Sequence, residues 1–343
     1  MQTKGITRKK HGSGKKVAWE YHDARGKKIT DAKVSARCNE LVLPPAWVDV
    51  WISPDAKADL QATGVDAKGR RQYRYSTAWT KARAREKFDS MAGFAKILPS
   101  IRKKVSADLK LRGMPKDKVV ALIVTLIDLY HFRVGNDEYA RANKSYGLTT
   151  LKEGHMKIDR GKSAEGKYDA IFQFVGKSGK LWKRRIWEDE LVALIIASGK
   201  VGGVHAKQDL FRYEDGRGGD HDVKSNHINE YLDAITKHQV TAKDFRTWAA
   251  TWKAAHRLSQ QLDPDSAAAR KRVSKAVVKT VSADLGNTPA VCATSYIHPA
   301  ILADWSAGTF RTHWSDARKS TRRSTDGLSA EEAATLAYLA KVE

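Results

Sequence analysis

The chain has 343 residues, with 62 lysines and arginines against 39 aspartates and glutamates and a formal charge of +23. That length supports one large domain or two unequal ones, of which we expect two, and that charge calls for a polyanionic partner. Two cysteines, Cys38 and Cys292, are too few for a disulfide scaffold or a four-ligand zinc site; the longest apolar run, Val119 to Ile127, falls far short of the roughly 20 residues of a membrane span.

The N-terminus, Met1 to Lys16, is basic and polar without an apolar core behind it, so it reads as a tail and not as a secretory signal; a cytoplasmic, nucleoid-associated protein without a membrane partner is expected. From about Val17 to Tyr75, short alternating segments such as Val17-Ala-Trp19-Glu-Tyr21 and Trp47-Val-Asp-Val-Trp51 stand between Gly, Pro and Asp turns, which predicts a small β-rich domain over 1–85. Helical periodicity then begins. Thr80 to Leu98 and Ile101 to Arg112 are two candidate helices, closed by Gly113, and Pro115 opens a third as its first helical residue. Within that helix Val119, Leu122, Ile123, Leu126, Ile127 and Tyr130 follow the spacing of a buried face. Ala170 to Val175 and Lys180 to Ile186 pair as a hairpin across Gly176-Lys177-Ser178-Gly179. Further helices are expected at Glu188 to Ser198, Ser225 to Thr236, from Thr241 with Asp244 completing a capping box, at Ser266 to Leu285 stopped by Gly286, and from Thr288 and Pro289 to Tyr296. Gly202 to Gly219 reads as a flexible connection and the residues after Ala317 as a second tail, while Cys292 is read as a small helix-face residue. The positive charge recurs in every third of the chain, at Arg8 to Lys10, Arg70 to Arg74, Arg102 to Lys104, Lys183 to Arg185, Arg270 to Arg272 and Arg318 to Arg323, which suits a lining around nucleic acid better than a single binding tail.

Four residues in the helical part invite comparison: Arg133 after the apolar helix, Lys177 in the hairpin tip, Arg246, and Tyr296. The stretches around them, Phe132-Arg-Val-Gly-Asn-Asp-Glu-Tyr139, Phe174-Val-Gly-Lys-Ser-Gly179, Thr241-Ala-Lys-Asp-Phe-Arg-Thr-Trp248, and Leu285-Gly-Asn-Thr-Pro-Ala-Val291 leading to Ser295-Tyr-Ile-His-Pro299, resemble in sequence and in order the type IB DNA topoisomerases in their compact poxvirus-like bacterial form. The resemblance runs from about Leu43 to the end. It implies an α+β fold: a small β-rich N-terminal domain and a larger, mainly helical catalytic domain over 86–343, of the kind shared by tyrosine recombinases and type IB topoisomerases, closing round DNA as a clamp. It implies that Tyr296 attacks phosphorus and keeps a 3′-phosphotyrosine, that Arg133 and Arg246 stabilise the transition state, and that Lys177 protonates the leaving 5′ oxygen. The chemistry agrees, because phosphodiester cleavage needs a nucleophile, charge on the non-bridging oxygens and a proton for the sugar oxygen. Arginine's fork matches phosphate, and lysine's pKa responds to burial.

Viral and eukaryotic relatives carry a histidine nine residues before the tyrosine, where this chain has Asn287. An amide donates a hydrogen bond but carries no charge. Asn287 is expected to contact a non-bridging phosphate oxygen. Just before the nucleophile, Cys292-Ala-Thr-Ser295 replaces the basic residues common in the family, which implies weaker local phosphate contacts. Arg71-Gln-Tyr-Arg-Tyr75 resembles the family's DNA-contacting strand and makes Gln72, Tyr73 and Tyr75 candidate DNA contacts; Tyr139, at the end of the first matching stretch, is another. Taken singly, a helical tyrosine is ordinarily a packing residue and each arginine a surface or salt-bridge residue, so the weight lies on the joint pattern. His131, His221, His227 and His298 lack metal-site spacing, and Gly216 to Gly219 lacks the features of a phosphate loop. The expected protein is therefore a monomer acting on duplex DNA without a cofactor, metal, ATP or small-molecule substrate. A tyrosine recombinase shares this chemistry, but Lys243 stands where such enzymes usually have a histidine three residues before the second arginine. A non-catalytic DNA-packaging protein would suit the charge equally well.

Overall fold

Alternation in the first part of the chain closes into a single antiparallel sheet. The computed structural model describes residues 4–11, 18–159, 169–203, 207–321 and 327–342, and the chain divides into two compact units, Met1–Lys87 and Phe88–Glu343. In the first unit, strand β1 (Ile6–His11), strand β2 (Ala18–His22), helix α1 (Ala32–Glu40) and strands β3 (Val48–Ile52), β4 (Leu60–Val65) and β5 (Arg71–Tyr75) follow in chain order. The sheet order is β2-β1-β3-β4-β5, which leaves β5 at an edge. Helix α1 starts where the Asp31 carboxylate accepts the backbone N–H of Lys33 and Val34, satisfying donors that a helix start leaves open. Its Cys38 buries with Ile6, Tyr21, Leu43, Val50, Ile52 and Ala62 in a core of their own.

Strand β1 corrects the reading of the N-terminus as a tail. Ile6 is buried, and the Arg8 guanidinium stacks over Trp19 and donates to the carbonyls of Leu43, Pro44 and Trp47 at 2.9, 2.9 and 3.1 Å. A basic residue that ties three carbonyls of a neighbouring loop is a structural part of the sheet. Residues 1–3 and 12–16 of the expected tail lie outside the described residues.

The two helices expected between residues 80 and 112 are one, α2 (Thr77–Asp108), which runs through Pro99. Proline inside a helix costs about 3 kcal/mol or more through a lost hydrogen bond and a clash. The same buried stripe continues on both sides of it, through Phe88, Met91, Phe94, Leu98, Ile101 and Val105. At roughly 1.5–3 kcal/mol for each large apolar side chain, that burial outweighs the break. The helix ends at Asp108, short of Arg112, and Pro115 is the N-cap of α3 (Lys116–Tyr130) and not its first helical residue. Helix α3 buries Val119, Leu122, Ile123, Leu126 and Ile127 completely or nearly so, and it forms the centre of the larger core.

After α4 (Asp137–Asn143), strands β6 (Met156–Asp159), β7 (Asp169–Val175) and β8 (Leu181–Ile186) form a second antiparallel sheet. The β7–β8 register runs from Val175↔Leu181 to Ala170↔Ile186, and a tight turn at Lys177–Gly179 joins the strands. Helix α5 (Asp189–Gly199) follows. The connection expected to be flexible holds a small hairpin, β9 (Arg212–Glu214) and β10 (Asp220–Asp222), with residues 204–206 outside the described residues. Gln208 Nε2 donates to the carbonyls of Gly199, Val201 and Gly203, and Arg212 pairs with Asp220 and Asp222. Leu210 and Phe211 bury in the larger core while these polar contacts tie the rest, so a single apolar pair and no period marks the segment.

Helices α6 (Ser225–Thr236), α7 (Ala242–Ser259), α8 (Ala267–Leu285), α9 (Pro289–Ser295), α10 (Pro299–Ala307), α11 (Phe310–Ser320) and α12 (Ala330–Val342) complete the unit. At the start of α7 the Asp244 carboxylate accepts the Thr241 N–H and hydroxyl, Ser266 caps α8, and Gly286 ends α8 in the left-handed conformation. The residues after Ala317 are not a tail throughout: α12 buries Tyr338 and Leu339, and Glu332 accepts from Trp248 Nε1 at 3.0 Å and from Arg102. Residues 322–326, which include Arg322 and Arg323, lie outside the described residues. The fold is thus a small N-terminal β-sheet domain followed by a larger helical region. No helix among the described residues is long and apolar enough to cross a membrane.

Candidate active site

The second unit brings together Arg133, Arg246, Asn287 and Tyr296 from four places in the chain. Helix α3 ends at His131, whose left-handed backbone (φ 61°) turns the chain. Phe132 then buries completely against Phe172, Phe174 and Trp182. The next residue, Arg133, extends to the α8–α9 loop, where its Nη2 donates to the Gly286 carbonyl at 3.0 Å and to Asn287 Oδ1 at 2.5 Å. Its guanidinium lies over the Trp182 ring. Arg246, on α7, is only 4% exposed; its Nη1 donates to the His131 carbonyl and its Nη2 to the Leu285 carbonyl at 2.8 Å. The same guanidinium lies 5.7 Å from the ring centre of Tyr296.

Tyr296 ends the short helix α9, which Thr288 caps and Pro289 starts. Its carbonyl accepts from Thr251 Oγ1 at 3.2 Å, and that hydroxyl in turn accepts the His298 N–H at 3.0 Å. Helix α7 therefore holds the backbone of the tyrosine and places Arg246 beside its ring. Cys292, one turn before it, sits on the buried face of α9.

Burial pushes the pKa of both guanidiniums down, and the Arg133 charge lowers Arg246 further while Tyr296 raises it. His131 is pushed down to about 3, by burial first and then by the charges of Lys253, Arg246 and Arg184, so it is neutral near pH 7. Two donors of the cluster, Arg133 Nη1 and Asn287 Nδ2, are buried without a hydrogen-bond partner among the described residues. An unmade hydrogen bond to a buried donor is costly, on the order of 1–3 kcal/mol, and a bound oxyanion would satisfy both. The arrangement can therefore hold an anion beside a phenol and stabilise charge that grows on it.

The other candidate residues are placed differently. Lys177 is exposed on the turn, and among the described residues no hydrogen bond ties it to the other four. In the first unit, Tyr73 and Tyr75 are exposed on the edge strand β5, and Tyr75 stacks on Trp79 with ring centres 3.9 Å apart. Gln72 Nε2 donates to Asp66 at 3.0 Å, so part of its donor capacity is engaged within the sheet domain. Tyr139 is exposed on α4, whose N-cap Asn136 accepts the Tyr139 N–H. Sequence reasoning missed His131, Trp182, Lys180 and Thr251; Lys180 Nζ donates to the Asn287 carbonyl at 3.3 Å. For His131 and Lys180 the available signal was their adjacency to the matching stretches, and Trp182 lies too far beyond one to carry it. Thr251 carries none, because its role is a contact across 45 residues. Among the described residues no group of three or more His, Cys, Asp or Glu is placed to hold a metal ion.

A helical unit that sets a tyrosine beside a buried and a half-buried arginine defines the class of site, and comparison with known proteins identifies the family. The family model for the catalytic core of eukaryotic DNA topoisomerase I matches residues 76–319, and that for the N-terminal domain of bacterial DNA topoisomerase IB matches residues 18–66. The chain belongs to the type IB DNA topoisomerases. It is of the compact kind: DNA topoisomerase 1B of Acanthamoeba polyphaga mimivirus is 32% identical over 296 residues, covering 85% of each chain. DNA topoisomerase 1B of vaccinia virus is 24% identical over 123 residues, 36% of this chain and 37% of the viral one, and DNA topoisomerase 1 of Mycosarcoma maydis is 23% identical over 61% of this chain and 22% of its own.

Proposed function

We propose that this topoisomerase relaxes supercoiled DNA by the following route. The Tyr296 oxygen attacks a phosphodiester phosphorus, the bond to the 5′ oxygen breaks, and a 3′-phosphotyrosine holds one end while the other rotates. Religation reverses these steps. The ester conserves the bond energy, so neither ATP nor a metal is required. Arg133 and Arg246 stabilise charge on the non-bridging oxygens, Asn287 donates Nδ2 to one of them, and Lys177 protonates the leaving 5′ oxygen. The two units close round the duplex as a clamp, with Gln72, Tyr73, Tyr75 and Tyr139 on the DNA, and the enzyme acts as a monomer on the chromosome in the cytoplasm.

The observation that carries this reading is the pair of buried donors without acceptors among the described residues, Arg133 Nη1 and Asn287 Nδ2, in the cluster where the Arg246 guanidinium lies beside the Tyr296 ring. The test is relaxation of supercoiled plasmid in EDTA without ATP, followed by denaturation to trap protein on DNA. Wild type relaxes the plasmid and leaves a covalent adduct; Tyr296→Phe binds DNA and does neither. An adduct formed by Tyr296→Phe removes the nucleophile assignment, and wild-type relaxation abolished by EDTA removes the metal-free route.

A further inference from the structure

Lys180, Trp182 and Arg184 alternate along the chain leaving the 177–179 turn, and a period of two puts them on one face. All three meet the last turn of α8 and the connection to α9 in order. Lys180 Nζ donates to the Asn287 carbonyl at 3.3 Å, the Trp182 indole occupies the space that a Cβ on Gly286 would need, and Arg184 Nη2 donates to the carbonyls of Asp284 and Ala283. Steps forward along the strand thus match steps back along the connection. Lys180 is at the end of this ladder nearest the active site, bound to the residue whose Oδ1 takes Arg133 Nη2 and whose Nδ2 has no partner. At 3.3 Å the contact is longer than a strong charge-assisted bond, but the ammonium lies on the carbonyl of the residue that carries the amide and can restrain that backbone.

Resting on the reading above, we propose that Lys180 is a positioning residue for DNA cleavage: its ammonium holds the Asn287 backbone so that the Asn287 amide stays on Arg133 and turned toward the scissile phosphate. Lys180 is neither the proton donor nor a phosphate clamp. Its effect reaches the phosphate only through Asn287, which makes the role separable from both.

The experiment measures single-turnover adduct formation at saturating DNA on a duplex whose cleavage site is first located by trapping. Lys180→Ala slows the step about tenfold or more, the scale of one lost charge-assisted hydrogen bond, and Lys180→Arg recovers most of the rate. In an Asn287→Ala background, Lys180→Ala has little further effect, because the side chain it positions is already gone. DNA affinity, measured in the Tyr296→Phe background, changes by no more than about twofold. Replacing the bridging 5′ oxygen by sulfur leaves the Lys180→Ala defect in place. Thermal melts accompany each variant, and if Ala lowers the melting temperature, Lys180→Gln, which keeps a donor without the charge, replaces it in the same cycle. Fully additive effects with Asn287→Ala, rescue by sulfur, a loss confined to affinity, or unchanged cleavage would each overturn the proposal. A wild-type enzyme that forms no adduct at all instead removes the reading on which it rests.

Discussion

A guanidinium with one nitrogen engaged and the other buried without a partner, as on Arg133, is poised for an anion that the free protein does not supply. Lys177 differs: it is exposed, and its proposed task concerns the leaving oxygen. A sugar alkoxide leaves poorly near neutral pH without a proton, whereas a thiolate leaves readily. With sulfur at the bridging 5′ position, Lys177→Ala should therefore recover nearly wild-type cleavage while remaining severely slowed on ordinary DNA, and Arg133→Ala should gain much less. Equal rescue of both would remove the basis for calling Lys177 the acid. A second residue-scale expectation concerns His131, which the fold keeps neutral down to about pH 3 through burial and neighbouring cations. The unfolded chain binds that proton near pH 6.5, so protons favour unfolding between the two values and stability falls as pH drops below about 6.5. The slope from this group approaches about 1.4 kcal/mol per pH unit and ends near pH 3. His131→Asn tolerates the left-handed backbone and should flatten this part of the profile in urea unfolding at pH 7 and pH 5; an unchanged slope would mean that the histidine takes a proton inside the fold.

At the scale of elements, the β7–β8 hairpin and the α8–α9 loop form one support for the site. Gly286 joins them: its φ of 62° suits glycine, and a Cβ there would overlap the Trp182 ring. Gly286→Ala should destabilise by about 2 kcal/mol or more, from left-handed strain together with overpacking. It should also slow adduct formation in the fraction that remains folded, because the displaced loop carries Asn287. Val278→Ala, a buried deletion on α8 away from the loop, provides the comparison in parallel melts and cleavage assays. If the two variants lose stability alike and cleave alike, the ladder does not align the site.

For the whole molecule, an excess of 62 cationic over 39 acidic residues, with basic runs in both units, should appear as many phosphate contacts. Binding of the Tyr296→Phe protein to duplex DNA should fall linearly with salt on logarithmic axes, with a slope near −0.9 for each phosphate neutralised. A nearly flat line would mean that the charge serves another purpose. The sequence by itself determined what is written in neighbouring residues: the β7–β8 hairpin with its glycine-flanked turn, the caps at Thr241, Ser266, Gly286 and Thr288, the apolar face of α3, and the residue types Arg133, Arg246, Asn287 and Tyr296 that the fold brings together. Periodicity and capping act over a few positions, so a local window contains their cause. Only the tertiary structure decided that α2 runs through Pro99, that residues 330–342 pack as a buried helix, that Arg8 belongs to the sheet, and that Arg133 finds Asn287 154 positions away. Each of these depends on burial or hydrogen bonding between segments distant in the chain, whose free energy exists only once the core has brought them together.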